Sequence, residues 1–265
     1  MRVFDTLIWY FFIYAIIGYV IEVIYCSFGE RRLVNRGFLH GPWLPIYGIG
    51  ALLIIITAAP FTRSPLAVFV VTVIVTSALE YLGSVILEQV FSIKLWDYST
   101  YPLNINGRVC AKNSLLFGLL GLGVIYGLHP YIEQAVASSP SAVRSGGAIA
   151  IAIIIAEDTT ISVIRLINFT KLLERYQAQK IEIEARLREL THLRENHTLK
   201  QWLAKEKHEL HEQLVMAAER LFLKFPSATA RSSERKGLLQ SLKDTIATRK
   251  KEKDSDANER TEEKL

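Results

Sequence analysis

Cysteine is scarce here, with two among 265 residues, Cys26 and Cys110, and they form no CxxC pair and no disulfide-rich spacing. A disulfide scaffold is excluded, and so is a cysteine-based zinc or redox motif. Charge is sparse over the first two thirds: up to Phe169 there are 10 Lys and Arg and 9 Asp and Glu, against 21 and 17 in the last third. The sequence has no G-x-x-x-x-G-K-[ST] loop, so ATP hydrolysis would need another subunit. It has no nucleophile elbow either. The net charge of +5 and the pI near 9.1 do not point to nucleic acid, because no basic face carries stacking aromatics. A cleavable signal is not expected, because the first apolar run is too long and lacks a basic flank and a small-residue cleavage site.

What is present is long apolar runs. A span needs about 20 mostly apolar residues to cross a hydrocarbon core about 30 Å thick. Thr6 to Phe28, Gly41 to Ala59, Pro65 to Phe91 and Gly147 to Phe169 qualify. Ser114 to Leu128 is short but reaches span length if the helix continues, kinked, past Pro130 to Ala137. The expected fold is therefore all-α: a polytopic bundle of about five transmembrane helices over residues 1–169, a cytoplasmic helical or coiled-coil segment over 170–225, and a flexible, largely disordered tail over 226–265.

Loop charge sets the expected orientation in the cell membrane. Arg31, Arg32 and Arg36 follow span one, Lys94, Arg108 and Lys112 follow span three, and Lys171 and Arg175 follow span five, whereas the other connections hold Arg63 and Arg144. The positive-inside rule then places the N-terminus outside and the tail in the cytoplasm. Trp9, Tyr10, Tyr25, Trp43 and Trp96 read as interfacial anchors, with Trp43 and Trp96 at the cytoplasmic surface.

Ionisable groups inside spans are costly and mark functional positions. In span three Thr72, Thr76, Glu80, Ser84 and Glu88 recur every four residues and so share one helix face. Span five carries Asp158, Ser162 and Arg165 on one face, and span one carries Glu22 with Gly18 and Cys26 a turn away on either side. Glu22, Glu80 and Asp158 are the expected acidic site, open toward the cytoplasm.

The two basic loops add the remaining candidates. Asn35 to Gly48 holds two prolines and three glycines in fourteen residues, which frees backbone groups where the chain enters lipid. Either a ligand-facing re-entrant turn or a rigid start to the helix accounts for it. Within it, Arg36 suits phosphate or carboxylate recognition, His40 suits proton transfer, and Tyr47 is a further polar candidate. In the second loop Asn106-Gly107 favours a tight turn that would fold Asp97 and Arg108 back toward the cavity mouth.

Glu22, Asn35 to Gly48, Leu79-Glu80-Tyr81, Trp96-Asp97-Tyr98-Ser99 and Asn104 to Cys110 together resemble the bacterial family labelled putative ABC-transporter permease, type IV. The resemblance covers most of residues 1–169. It implies a transporter subunit that works with a separate ATPase subunit, although no coupling-loop motif of established ABC permeases is visible.

Beyond the spans, Leu173, Tyr176, Ile183, Leu187 and Leu190 form one apolar stripe and Leu203, Leu210, Leu214 and Leu221 another, out of phase with the first. A break near Glu195 to Thr198 would make an antiparallel pair, and a continuous helix would need a stutter. Either suits self-association or a protein partner. His208 and His211 with Glu209 and Glu212 lack the H-E-x-x-H order and read as a charged surface, so no metal and no cofactor is expected. The expected partners are membrane lipids, the ATPase subunit, and a second copy or another protein on the tail. Transport leads the functional expectation; a membrane enzyme acting on a lipid or lipid-linked substrate and a scaffold recruiting through its tail are the alternatives.

Overall fold

The computed structural model describes residues 2–30, 37–191, 197–230 and 232–262. It is all-α apart from one small hairpin, and it divides into two compact units, Met1–Val90 with Lys94–Val163, and Phe91–Ile93 with Ile164–Leu265. Among the described residues, four helical stretches are long and apolar enough to cross a membrane: Val3–Phe28, Pro65–Phe91, Ala111–Ser138 and Ser141–Arg186.

In the first unit α1 (Arg2–Glu30) and α3 (Pro65–Phe91) are single helices. The fourth expected span is built as α4 (Ala111–Leu122), a π-helical stretch at Gly123–Leu128, and α5 (His129–Ser138). Pro130 has no N–H to donate, and the wider π turn just before it lets the helix run on. The last span begins α6 (Ser141–Thr191), which belongs to the first unit through Val163.

The expected span from Gly41 is shorter than its sequence allows. Helix α2 covers Pro45–Ala58 and ends in a 3-10 turn at Ala59–Phe61. At 1.5 Å per residue the whole is about 26 Å long, below the thickness of a hydrocarbon core. Pro42 and Pro45 explain the late start, since neither can continue a helix from its N-terminal side. The backbone N–H of Leu44 donates to the Ala15 carbonyl at 2.9 Å, and Ala51 packs with Tyr10 and Tyr14. Helix α2 therefore runs antiparallel to α1 and begins level with its middle. Leu44 thus lies about 22 Å back along α1 from Glu30.

Glycine makes that contact close. A Cβ on Gly48 would lie 2.6 Å from the Phe11 carbonyl oxygen, and one on Gly18 would lie 2.2 Å from Cγ of Tyr47. Trp43 packs on Phe12 with ring centroids 5.8 Å apart.

Helix α3 is polar inside and apolar outside. Thr72, Thr76, Glu80, Ser84 and Glu88 are all buried, while Val70, Ile74, Leu82, Ile86 and Val90 are exposed. A soluble helix has the reverse pattern, so this one is built to meet lipid. Gly118 and Gly121 let α4 lie against α3, where added Cβ atoms would meet Phe69 and Thr72.

The second unit is helical. Ile183 on α6 packs with Leu203 on α7 (His197–Lys224), the Lys207 ammonium meets Glu184 at 3.2 Å, and Tyr176 stacks near His211 at 5.6 Å. Contacts that move forward on one helix and back on the other define an antiparallel pair. Residues 192–196, where the break expected near Glu195 to Thr198 begins, lie outside those described, as do the side chains of Leu187 and Leu190. Where composition predicts a flexible tail after Pro226, the chain instead forms α8 (Ser233–Glu262). Leu239 and Leu242 are fully buried there, and Lys243 lies over the Phe222 ring at 5.0 Å. Two buried leucines anchor this otherwise polar helix, which average composition conceals.

Candidate functional site

Helix α1 brings Glu22 to within reach of α2. The Tyr47 hydroxyl donates to Glu22 Oε2 at 2.6 Å, and the Cys26 thiol donates to Oε1 at 3.4 Å. Tyr47 can reach it because Gly18, one turn back on α1, leaves room for its ring. Phe117 on α4 closes on Tyr47 edge-on, centroids 6.0 Å apart.

Glu80 enters from α3. The Tyr98 hydroxyl lies against its carboxylate, Asn113 of α4 lies beside Tyr98, and both Glu80 and Tyr98 feel the charge of Glu22. Burial, together with Glu80 and Glu22, pushes the Tyr98 hydroxyl well above the ordinary tyrosine range, so it remains a donor at any physiological pH. Glu80 is 6% exposed. Its Oε2 is buried with no partner among the described residues. Two carboxylates, two tyrosine hydroxyls and an amide thus converge from α1, α2, α3, α4 and the loop before α4.

That loop is fixed by its own turn. Asn106 and Gly107 take positive φ of 54° and 67° and join the two-residue strands β1 (Asn104–Ile105) and β2 (Val109–Cys110), as the Asn-Gly pair predicts. Asp97 accepts the Ser99 N–H at 3.0 Å. A Cβ on Gly107 would press on Asp97 at 2.4 Å. The Arg108 guanidinium donates to Ser84 at 3.0 Å, pairs with Glu88 and lies over the Tyr81 ring. Arg108 ties the loop to α3, and Asp97 braces it from within, so that Tyr98 is held over Glu80.

Asp158 does different work. It accepts the backbone N–H of His40 at 2.9 Å and of Gly41 at 2.9 Å, and Nδ1 of His40 lies 3.0 Å from its Oδ1. Ser162 meets the same Nδ1 at 3.2 Å. A serine nucleophile would need the far ring nitrogen, so the cluster is a clamp on the incoming chain and lacks the geometry of a catalytic triad.

A family model described as putative ABC-transporter type IV matches residues 9–163, which is more than half of the chain and contains all of these groups. The chain belongs to this family. No curated protein and no solved structure matches it.

Within this type IV chain the acidic residues expected from sequence separate into two groups. Glu22 and Glu80 come together with Tyr47. Asp158 and His40 form the clamp, and Arg108 and Asp97 support the loop. Arg36 lies outside the described residues. Sequence reasoning missed Tyr98 and Asn113 as site residues. Tyr98 was in view within Trp96 to Ser99, but a loop tyrosine beside a membrane reads first as an anchor; Asn113 carried no signal beyond its place at the start of a span.

Proposed function

We propose that this protein is a transport-related membrane subunit whose working group is the Glu22–Glu80 carboxylate pair, reached from the cytoplasm. The observation that carries the reading is the buried Glu80 carboxylate, set against the Tyr98 hydroxyl, with Oε2 lacking a partner among the described residues. An ionised oxygen there needs a donor or cation and a protonated one needs an acceptor, so the position is made for exchange with something mobile. Membership of an ABC-transporter family supports pairing with a separate ATPase subunit, since the chain has no phosphate-binding loop of its own. On this reading α2 and the segment before it cross the bilayer together as the fifth span, which puts the N-terminus outside and the second unit in the cytoplasm, where its helices, with a coiled-coil element, offer the contact for a partner.

The test is ion flux in proteoliposomes. Glu80→Gln is expected to abolish proton or cation movement, while Asp158→Asn, acting through the clamp, reduces it in part. Unchanged flux in Glu80→Gln would remove the assignment.

A further inference from the structure

We infer that the polar face of α3 between Glu88 and Glu80 is a hydrated proton path, open at the loop end and closed beyond Glu80 where α4 lies against Thr72. The inference rests on Glu80 being the working carboxyl of the site proposed above.

Two observations carry it. Glu80 Oε2 and Glu88 Oε1 are both buried without a protein partner among the described residues, in side chains 6% and 8% exposed. Buried polar atoms are satisfied by water or ligand when protein does not supply a partner. They also lie on one helix face eight residues apart, a rise of about 12 Å, with the Ser84 hydroxyl halfway at about 6 Å. The Arg108 guanidinium spans the outer gap, donating to both Ser84 and Glu88, and water runs beside it to Glu88 Oε1; the inner gap from Ser84 to Glu80 is bridged by one or two waters at O–H···O spacings of about 2.8 Å. At the outer end of the file the Arg108 charge is matched by Glu88, so the mouth carries no net positive barrier. Beyond Glu80, Gly121 of α4 leaves no space beside Thr72.

The same geometry suits a proton, which needs fewer ligands than a metal ion. A hard cation takes about six or more oxygen ligands, and no group of three or more His, Cys, Asp or Glu able to hold a metal occurs among the described residues. A proton needs one oxygen at a time, and hydroxyls with waters conduct it by exchange.

The experiment is thiol accessibility in the full chain, reconstituted in lipid, with Cys26→Ser and Cys110→Ala as background. Ser84→Cys, nearly isosteric, sits in the proposed file; Ile86→Cys, two residues on, sits among the exposed apolar side chains and faces lipid. The probe is silver ion, small enough for a water file, with unreacted thiol counted by mass after denaturation. Only a hydrated thiol ionises and reacts, so Ser84→Cys is expected to react roughly a hundredfold faster than Ile86→Cys. Equal rates, or no reaction at Ser84→Cys, would overturn the path. Ser84→Val provides the second variant: it removes the hydroxyl together with the acceptor for Arg108 and is expected to slow proton flux, whereas Ser84→Thr keeps both and is expected to retain it; undiminished flux in Ser84→Val, or equal loss in both, counts against the path as well. Because labelling does not depend on transport, its failure is distinguishable from failure of the Glu80→Gln flux test, which strikes the proposed function and the proton assignment together.

Discussion

The Arg108–Glu88 pair shows how a single residue is committed by its depth. Both side chains are nearly buried, 13% and 8% exposed, and a buried charge that loses its partner is costly. Arg108→Leu is expected to destabilise the protein by about 3–5 kcal/mol, and Glu88→Leu by a similar amount, while the double substitution recovers most of the loss. Thermal unfolding in detergent measures the cycle; additive losses would mean the two residues act separately. At Glu80 the cost of a carboxylate in an apolar helix was visible in the sequence, since no bland role explains it. Its neighbour Tyr98 was hidden, because its hydroxyl comes from a loop whose fold depends on the Asn106-Gly107 turn and on Arg108, 28 residues beyond Glu80. Tyr98→Phe tests that link: it removes one donor and keeps the ring, so flux should change in pH dependence with no loss of folded protein.

At the scale of elements, the α1–α2 contact depends on glycine. A Cβ on Gly48 would sit 2.6 Å from backbone oxygen, which cannot rotate away, whereas one on Gly50 would meet only the Leu79 side chain at 3.5 Å. Gly48→Ala should therefore cost about 1–3 kcal/mol by forcing the helices apart, and Gly50→Ala much less, as read from melting temperatures. The clamp is testable in the same way. Asp158→Asn should speed amide exchange at His40 and Gly41, whose N–H groups it receives, and leave α3 protected. The α3 stripe was legible from spacing alone because a four-residue period fixes a face whatever surrounds it. The depth of α2 was not: two prolines and three glycines permit either a straight start or a re-entrant one, and the choice is made by the fit of Gly18 and Gly48 against Tyr47 and Phe11. The fate of residues after Pro226 was misread for the opposite reason, since burial of Leu239 and Leu242 outweighs a polar average.

For the whole molecule, the chain joins a unit built to meet lipid on its outside with a second helical unit held by charge and packing. Burial pushes His211 of the second unit below its ordinary 6.5, and its Nδ1 is buried without a partner among the described residues. The hydrogen bond from Arg249 holds Glu212 below its ordinary 4.5. Both groups bind more protons unfolded than folded, so their stabilisation is complete above pH 6.5 and is lost as pH falls, first through His211 and then through Glu212. Amide exchange of α7 and α8, labelled at one fixed pH after equilibration at several, should show protection falling on acidification, with the upper step absent in His211→Phe. The first unit holds the central claim, that Glu80 exchanges protons inside the membrane. Infrared titration of the reconstituted protein tests it most directly: a carboxyl C=O band should appear and vanish with pH and be missing in Glu80→Gln, and a spectrum with no titrating band that Glu80→Gln removes would contradict it.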